Sequence, residues 1–179
     1  LPIRQLHDDL MQRVGATWDQ PPETVTWEPI HRALRDVLID GFADHPLWGF
    51  KDPRTLFCLE GWLEAIPQLE LVAILRHPEE VAQSLHARSG MSIADGLELW
   101  FHYNSRLLRW LDQRQFPLLH YGADPQHFRH QAAQLIESLH LPQSRAAADL
   151  QFYDASLRHQ EHQGNPLPDH VERLYAALQ

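Results

Sequence analysis

The 179-residue chain sets 24 acidic residues against 15 lysines and arginines, and its net charge of −9 excludes a broad basic face for nucleic acid or anionic lipid. Its length suits a single domain over residues 1–179 with a real core, and no apolar run reaches the roughly 20 residues of a membrane helix. A lone cysteine, Cys58, excludes an internal disulfide and suits a reducing, cytoplasmic setting.

In chain order, "LPIRQLHDDLMQRV" reads as a helix with Ile3, Leu6, Leu10 and Val14 on one apolar stripe. A Pro-rich loop carrying Trp18 and Trp27 follows. "EPIHRALRDVLIDGFADH" predicts a second amphipathic helix with Ile30, Leu34, Val37, Leu38 and Phe42 on its apolar side. "LWGF" predicts a short strand ending at Lys51. "TLFCLEGWLEAI" predicts a helix closed by Pro67, and "LELVAIL" predicts the strongest strand. Trp48 and Trp62 are expected in the core. Helices are expected over 78–89 and 92–114, the second capped by Ser92 with Asp95 three residues on. "FPLLHY" predicts a third strand, ending at Tyr121. The helix expected over 124–140 has Asp124 as cap and Pro125 at its first position. Residues 142–167 read as irregular, and 168–179 as a last amphipathic helix.

Short apolar strands alternating with helices predict an α/β fold, helix-rich, with a parallel sheet covered on both faces. In such sheets ligands bind beyond the carboxyl ends of the strands. The residues to examine are therefore Lys51-Asp52-Pro53-Arg54, Arg76-His77-Pro78 and Tyr121-Gly122. Two of these three strand ends carry positive charge, which makes an anion site.

Pro78 suits the first turn of a helix, and His77 can cap it. The new helix would aim its unpaired N–H groups at the space Arg76 also reaches, an arrangement that suits phosphate. Ser84 lies eight residues beyond Arg76 and shares a helix face with Arg88 at i+4; a hydroxyl and a guanidinium can hold one phosphate together. The plainer alternative is a salt bridge from Arg76 to Glu79 or Glu80. Lys51 can present a point charge to a ligand, while an Asp52–Arg54 bridge would only fix its loop.

Arg76 and Ser84 at this spacing, with "FKDPR" about twenty-five residues upstream, resemble the sulfotransferases that use 3′-phosphoadenosine 5′-phosphosulfate (PAPS). "FKDPR" is similar to the Lys-Asp-Pro motif of tyrosylprotein sulfotransferases and of bacterial sulfotransferase-like proteins. "LELWFHYNSRLL" and "FYDASLRHQ" resemble stretches of the bacterial group. The resemblance runs over most of 18–179 and is sharp at 50–54 and 75–88. It implies a P-loop NTPase-like, three-layer fold, with PAPS as co-substrate and no metal. It implies that Arg76 and Ser84 hold the cofactor's 3′-phosphate, that Lys51 faces the transferring sulfonate, and that Arg158 lies near the nucleotide. The family's phosphosulfate-binding turn, rich in Gly, Ser, Thr and Arg, has no counterpart here. That turn and its central strand are expected upstream of Leu1, and this chain alone is expected to be inactive.

The general base and the hydroxyl or amine acceptor are not specified by these motifs. The pairs His127/His130 and His159/His162 lack carboxylate or cysteine partners at ligand spacing, so solvation is expected rather than a metal. Trp100, Tyr103, Leu107 and Leu111 stand at core spacing, while Asn104 could reach a cleft. Two rival functions remain: a non-catalytic sulfotransferase-like module that binds nucleotide or a partner, and a P-loop transferase such as a nucleotide kinase. The second would need a Gly-Lys-Ser/Thr loop and a magnesium-binding acid.

Overall fold

Two compact units, Leu1–Leu69 and Glu70–Gln179, make up the chain in a computed structural model that describes residues 2–122, 125–139 and 164–179. The first unit packs three helices, α1 (Pro2–Arg13), α2 (Pro29–Asp40) and α3 (Thr55–Ala65). Helix α1 buries Leu6, His7, Leu10 and Met11, so its inner face is turned from the predicted stripe and Val14 is left exposed. Helix α3 buries Phe57, Cys58, Leu59 and Trp62, the expected core helix.

Helix α2 forms where predicted but turns the other way. Its apolar stripe faces outward, with Ile30, Leu34 and Val37 at 53, 47 and 68 % exposure. His31 and Arg35 are buried instead, and each is satisfied. His31 Nδ1 accepts the Glu28 backbone N–H at 3.1 Å, and its Nε2 meets Asp9 Oδ2 at 2.8 Å. Arg35 donates to the Gly61 carbonyl at 2.5 Å and to Asp36 at 2.8 Å, and lies over the Trp27 ring. Periodicity identifies residues that share a face; partners across the interface decide which face goes inside.

The strand expected at 47–50 is absent: this backbone joins no sheet among the described residues. Phe50 turns in on Trp62, Leu47 stays exposed, and Trp48 is only half-buried, stacked on Phe42 at 4.8 Å.

In the second unit, β1 (Ala73–Arg76) pairs in parallel with β2 (Leu118–Tyr121), Arg76 opposite Tyr121. Between them run α4 (Pro78–Ser89) and α5 (Ile93–Gln113); α6 (Pro125–Ser138) and α7 (Asp169–Ala177) follow. The fold is thus helix-rich α/β with a short parallel sheet. His77 caps α4 by accepting the Glu79 N–H, and Ser92 caps α5 by accepting the Asp95 N–H, both as predicted. Helices α4 and α5 meet closely at Gly96, where a Cβ would stand 2.9 Å from the Ala82 Cα. The two sheet faces are not equally covered. Leu75 is buried and Leu119 packs on Phe128 of α6, whereas Ile74, on the same face as Leu119, remains 53 % exposed. No described helix is long and apolar enough to cross a membrane.

Candidate functional site

The carboxyl ends of β1 and β2 open into a cleft of about 440 Å³, the place where parallel sheets bind ligands. His77, Glu80, His120, Tyr121, Gly122 and Tyr175 line it. Gly122 is required there: its φ is +98°, and a Cβ would approach Glu80 Oε2 to 3.0 Å. His77 stands edge-on to Tyr175 at 5.1 Å, and Tyr175 in turn to Trp100 at 5.9 Å. The β2 end is tied to α6 by the His120 backbone N–H, which donates to Gln131 Oε1 at 3.1 Å.

Glu80 governs the electrostatics of the cleft. Its carboxylate, 1 % exposed, accepts Arg76 Nε at 2.8 Å, and the Arg76 guanidinium lies 5.5 Å from the centre of the Tyr121 ring. Burial, and after it the Glu80 charge, push the Tyr175 phenol up, against a hydrogen bond from Gln179 that works the other way. Burial and then the nearby His127 imidazole push His120 down, favouring its neutral form. The cleft therefore holds a His120 imidazole and a Tyr175 phenol that both favour their neutral forms, beside the Glu80 carboxylate paired with Arg76.

Of the candidates in this unit, Arg76 sits at the β1 end as predicted, with the salt bridge to Glu80 that was its plainer alternative. Ser84 and Arg88 follow Glu80 along α4 at successive i+4 steps, Ser84 half-buried and Arg88 exposed, and neither they nor Arg76 line the cleft, although Glu80 does. Asn104 donates back to the Trp100 carbonyl at 2.8 Å. Arg158, Asp124, His159 and His162 lie outside the described residues. Glu80 entered the sequence reasoning only as a neutralising partner. Its burial had no sequence signal, because acids in a first helical turn are ordinarily solvated dipole partners.

Lys51 belongs to the first unit. It is exposed, and it is the only lysine in the sequence. Beside it Asp52 is built in: Oδ1 accepts the Arg54 backbone N–H at 2.9 Å and its guanidinium at 3.0 Å. The expected Asp52–Arg54 bridge is therefore present, and Arg54 Nε also stands 2.7 Å from Asp8 Oδ1. Burial pushes the Asp52 carboxyl up, yet the His7 imidazole, then the Arg54 N–H and guanidinium, hold it at about 2. Among the described residues no cluster of three or more His, Cys, Asp or Glu residues has the arrangement of a metal site.

Compared with known proteins, the chain matches no family model, no curated protein and no solved structure.

Proposed function

We propose that the chain carries the nucleotide end of a sulfotransferase that moves a sulfonate from PAPS to a hydroxyl or amine acceptor. The observation that carries this is Arg76 at the carboxyl end of a parallel strand, with α4 starting two residues later and Ser84 on that helix. The three-layer, P-loop NTPase-like architecture and a reducing compartment for Cys58 belong to the same proposal. Arg76, Ser84, Arg88 and Arg158 are the proposed nucleotide contacts, and Tyr121 offers an aromatic face beside Arg76. Glu80 orients the arginine: a guanidinium has five N–H donors in a fixed fork and can serve a carboxylate and an anion together. Lys51 supplies positive charge to the sulfonate, since sulfonyl transfer, like phosphoryl transfer, needs in-line placement and charge on the leaving oxygen.

A second reading, a non-catalytic sulfotransferase-like module, is favoured by the Arg76–Glu80 ion pair, in which the carboxylate offsets the positive charge that Arg76 would offer an anion. Calorimetric titration of the chain with 3′-phosphoadenosine 5′-phosphate, against the same nucleotide lacking the 3′-phosphate, tests the binding role. Selective binding is expected. Arg76→Ala would remove a partner of the buried Glu80 charge, so it is combined with Glu80→Gln. The double variant should lose at least tenfold affinity for the 3′-phosphorylated nucleotide and little for the control, the usual size of one lost charge-assisted bond. Equal losses would remove Arg76 from the site. Turnover separates the two readings: Lys51→Ala should depress turnover of a competent enzyme with little effect on nucleotide affinity.

A further inference from the structure

We infer that Trp62 and His7 form a buried positioning relay that fixes the residues on both sides of Lys51; its functional consequence rests on the transfer role proposed for Lys51. Trp62 and His7 are both fully buried. An indole N–H can only donate, and Trp62 Nε1 donates to His7 Nε2 at 2.8 Å. A ring nitrogen that accepts carries no proton, so the neutral imidazole holds its proton on Nδ1. That nitrogen lies 3.6 Å from Asp52 Oδ2, an electrostatic contact rather than a full hydrogen bond. The other Asp52 oxygen is taken by Arg54, and Arg54 reaches Asp8 on α1, the helix that also carries His7.

The residue before Lys51 rests on the same pair. Phe50 packs against Trp62 with ring centres 4.8 Å apart and against His7 at 6.1 Å. Phe50 and Asp52 thus both anchor inward, and the exposed Lys51 is presented between them. Packing alone does not call for this chemistry. A leucine at position 7 would extend the apolar face of Leu6, Leu10 and Met11, whereas a buried imidazole is costly unless its nitrogens meet partners. Nε2 has the Trp62 N–H, and Nδ1, without a hydrogen bond, has the Asp52 carboxylate at 3.6 Å. The polar choice is matched to the acid next to Lys51.

Because Lys51 is the only lysine, reductive methylation of the full chain with ¹³C-formaldehyde gives one side-chain dimethylamine signal, distinct from that of the terminal amine. Trp62→Phe and Asp52→Asn are each expected to shift it, and the double variant no further than the larger single shift, as for residues on one line. Leu10→Ala, a fully buried site outside the relay, is the control that destabilises without moving the signal. No shift in either relay variant, or an equal shift in the control, overturns the inference. Should the variants fail to fold, long-range ¹H–¹⁵N correlation on the unaltered chain decides: His7 protonated at Nδ1 supports the relay, and Nε2–H overturns it. In a competent enzyme Trp62→Phe should lower kcat on the order of tenfold with KM nearly unchanged, the signature of misplacement. A shifted signal with turnover indifferent to Lys51→Ala would retain the relay and discard the transfer role.

Discussion

Asp52 shows how a single carboxyl can hold a loop. Its pKa is depressed to about 2 from 3.8, so its contribution is complete above about pH 4 and is lost as the pH falls toward 2. A shift of that size corresponds to about 2 kcal/mol. Asp52→Asn should therefore lower unfolding stability by about that amount at neutral pH, with the gap to the unaltered chain closing near pH 2. Denaturant titrations at pH 7 and pH 2.5 check this, and a pH-independent gap would show that Asp52 acts through shape alone. The Asp52–Arg54 bridge was legible because the partners are two residues apart. His7 was not legible, since its partners lie 45 and 55 positions away and no periodicity links them.

Among the elements, α2 sets the clearest contrast between pattern and packing. Its inner face is polar and fully partnered, so Arg35→Ala removes the buried guanidinium together with its bonds to the Gly61 carbonyl and Asp36 and should cost about 2–3 kcal/mol. Val37→Ser on the outer face should stay within about 0.5 kcal/mol. Thermal unfolding of the two variants tests the assignment, and the reverse order of effects would mean that the apolar stripe is the buried one. The same elements explain why "LWGF" is no strand. Four apolar residues satisfy the strand pattern, but Phe50 is captured by Trp62 and Trp48 by Phe42. A strand exists only where a neighbour pairs with it, as β2 does with β1.

For the molecule as a whole, charge rather than fold sets its behaviour in solution. With a net charge of −9 and a pI near 5.7, the chain should pass unretained through a heparin column at physiological salt and be least soluble near pH 5.7. Retention on heparin would reveal a local basic face strong enough to outweigh the overall charge. The two compact units each carry one of the resembling motifs, Lys51-Asp52-Pro53-Arg54 in the first and Arg76 with Ser84 in the second.

The α/β class, the starts of α4 and α5, the parallel strands ending at Arg76 and Tyr121, and the cap role of His77 were all determined by the sequence itself. The helix starts and the cap depend on residues a few positions apart, where capping groups act directly on the backbone. Each strand is marked by its own apolar run, although their pairing joins segments 45 positions apart. Only the tertiary structure decided that α2 hides His31 and Arg35, that Glu80 is buried against Arg76, and that His7 joins Trp62 to Asp52. Burying a polar group is favourable only when a partner meets it. For α2 and His7 those partners come from distant segments; for Glu80, one turn from Arg76, it is the surrounding packing that removes the pair from water.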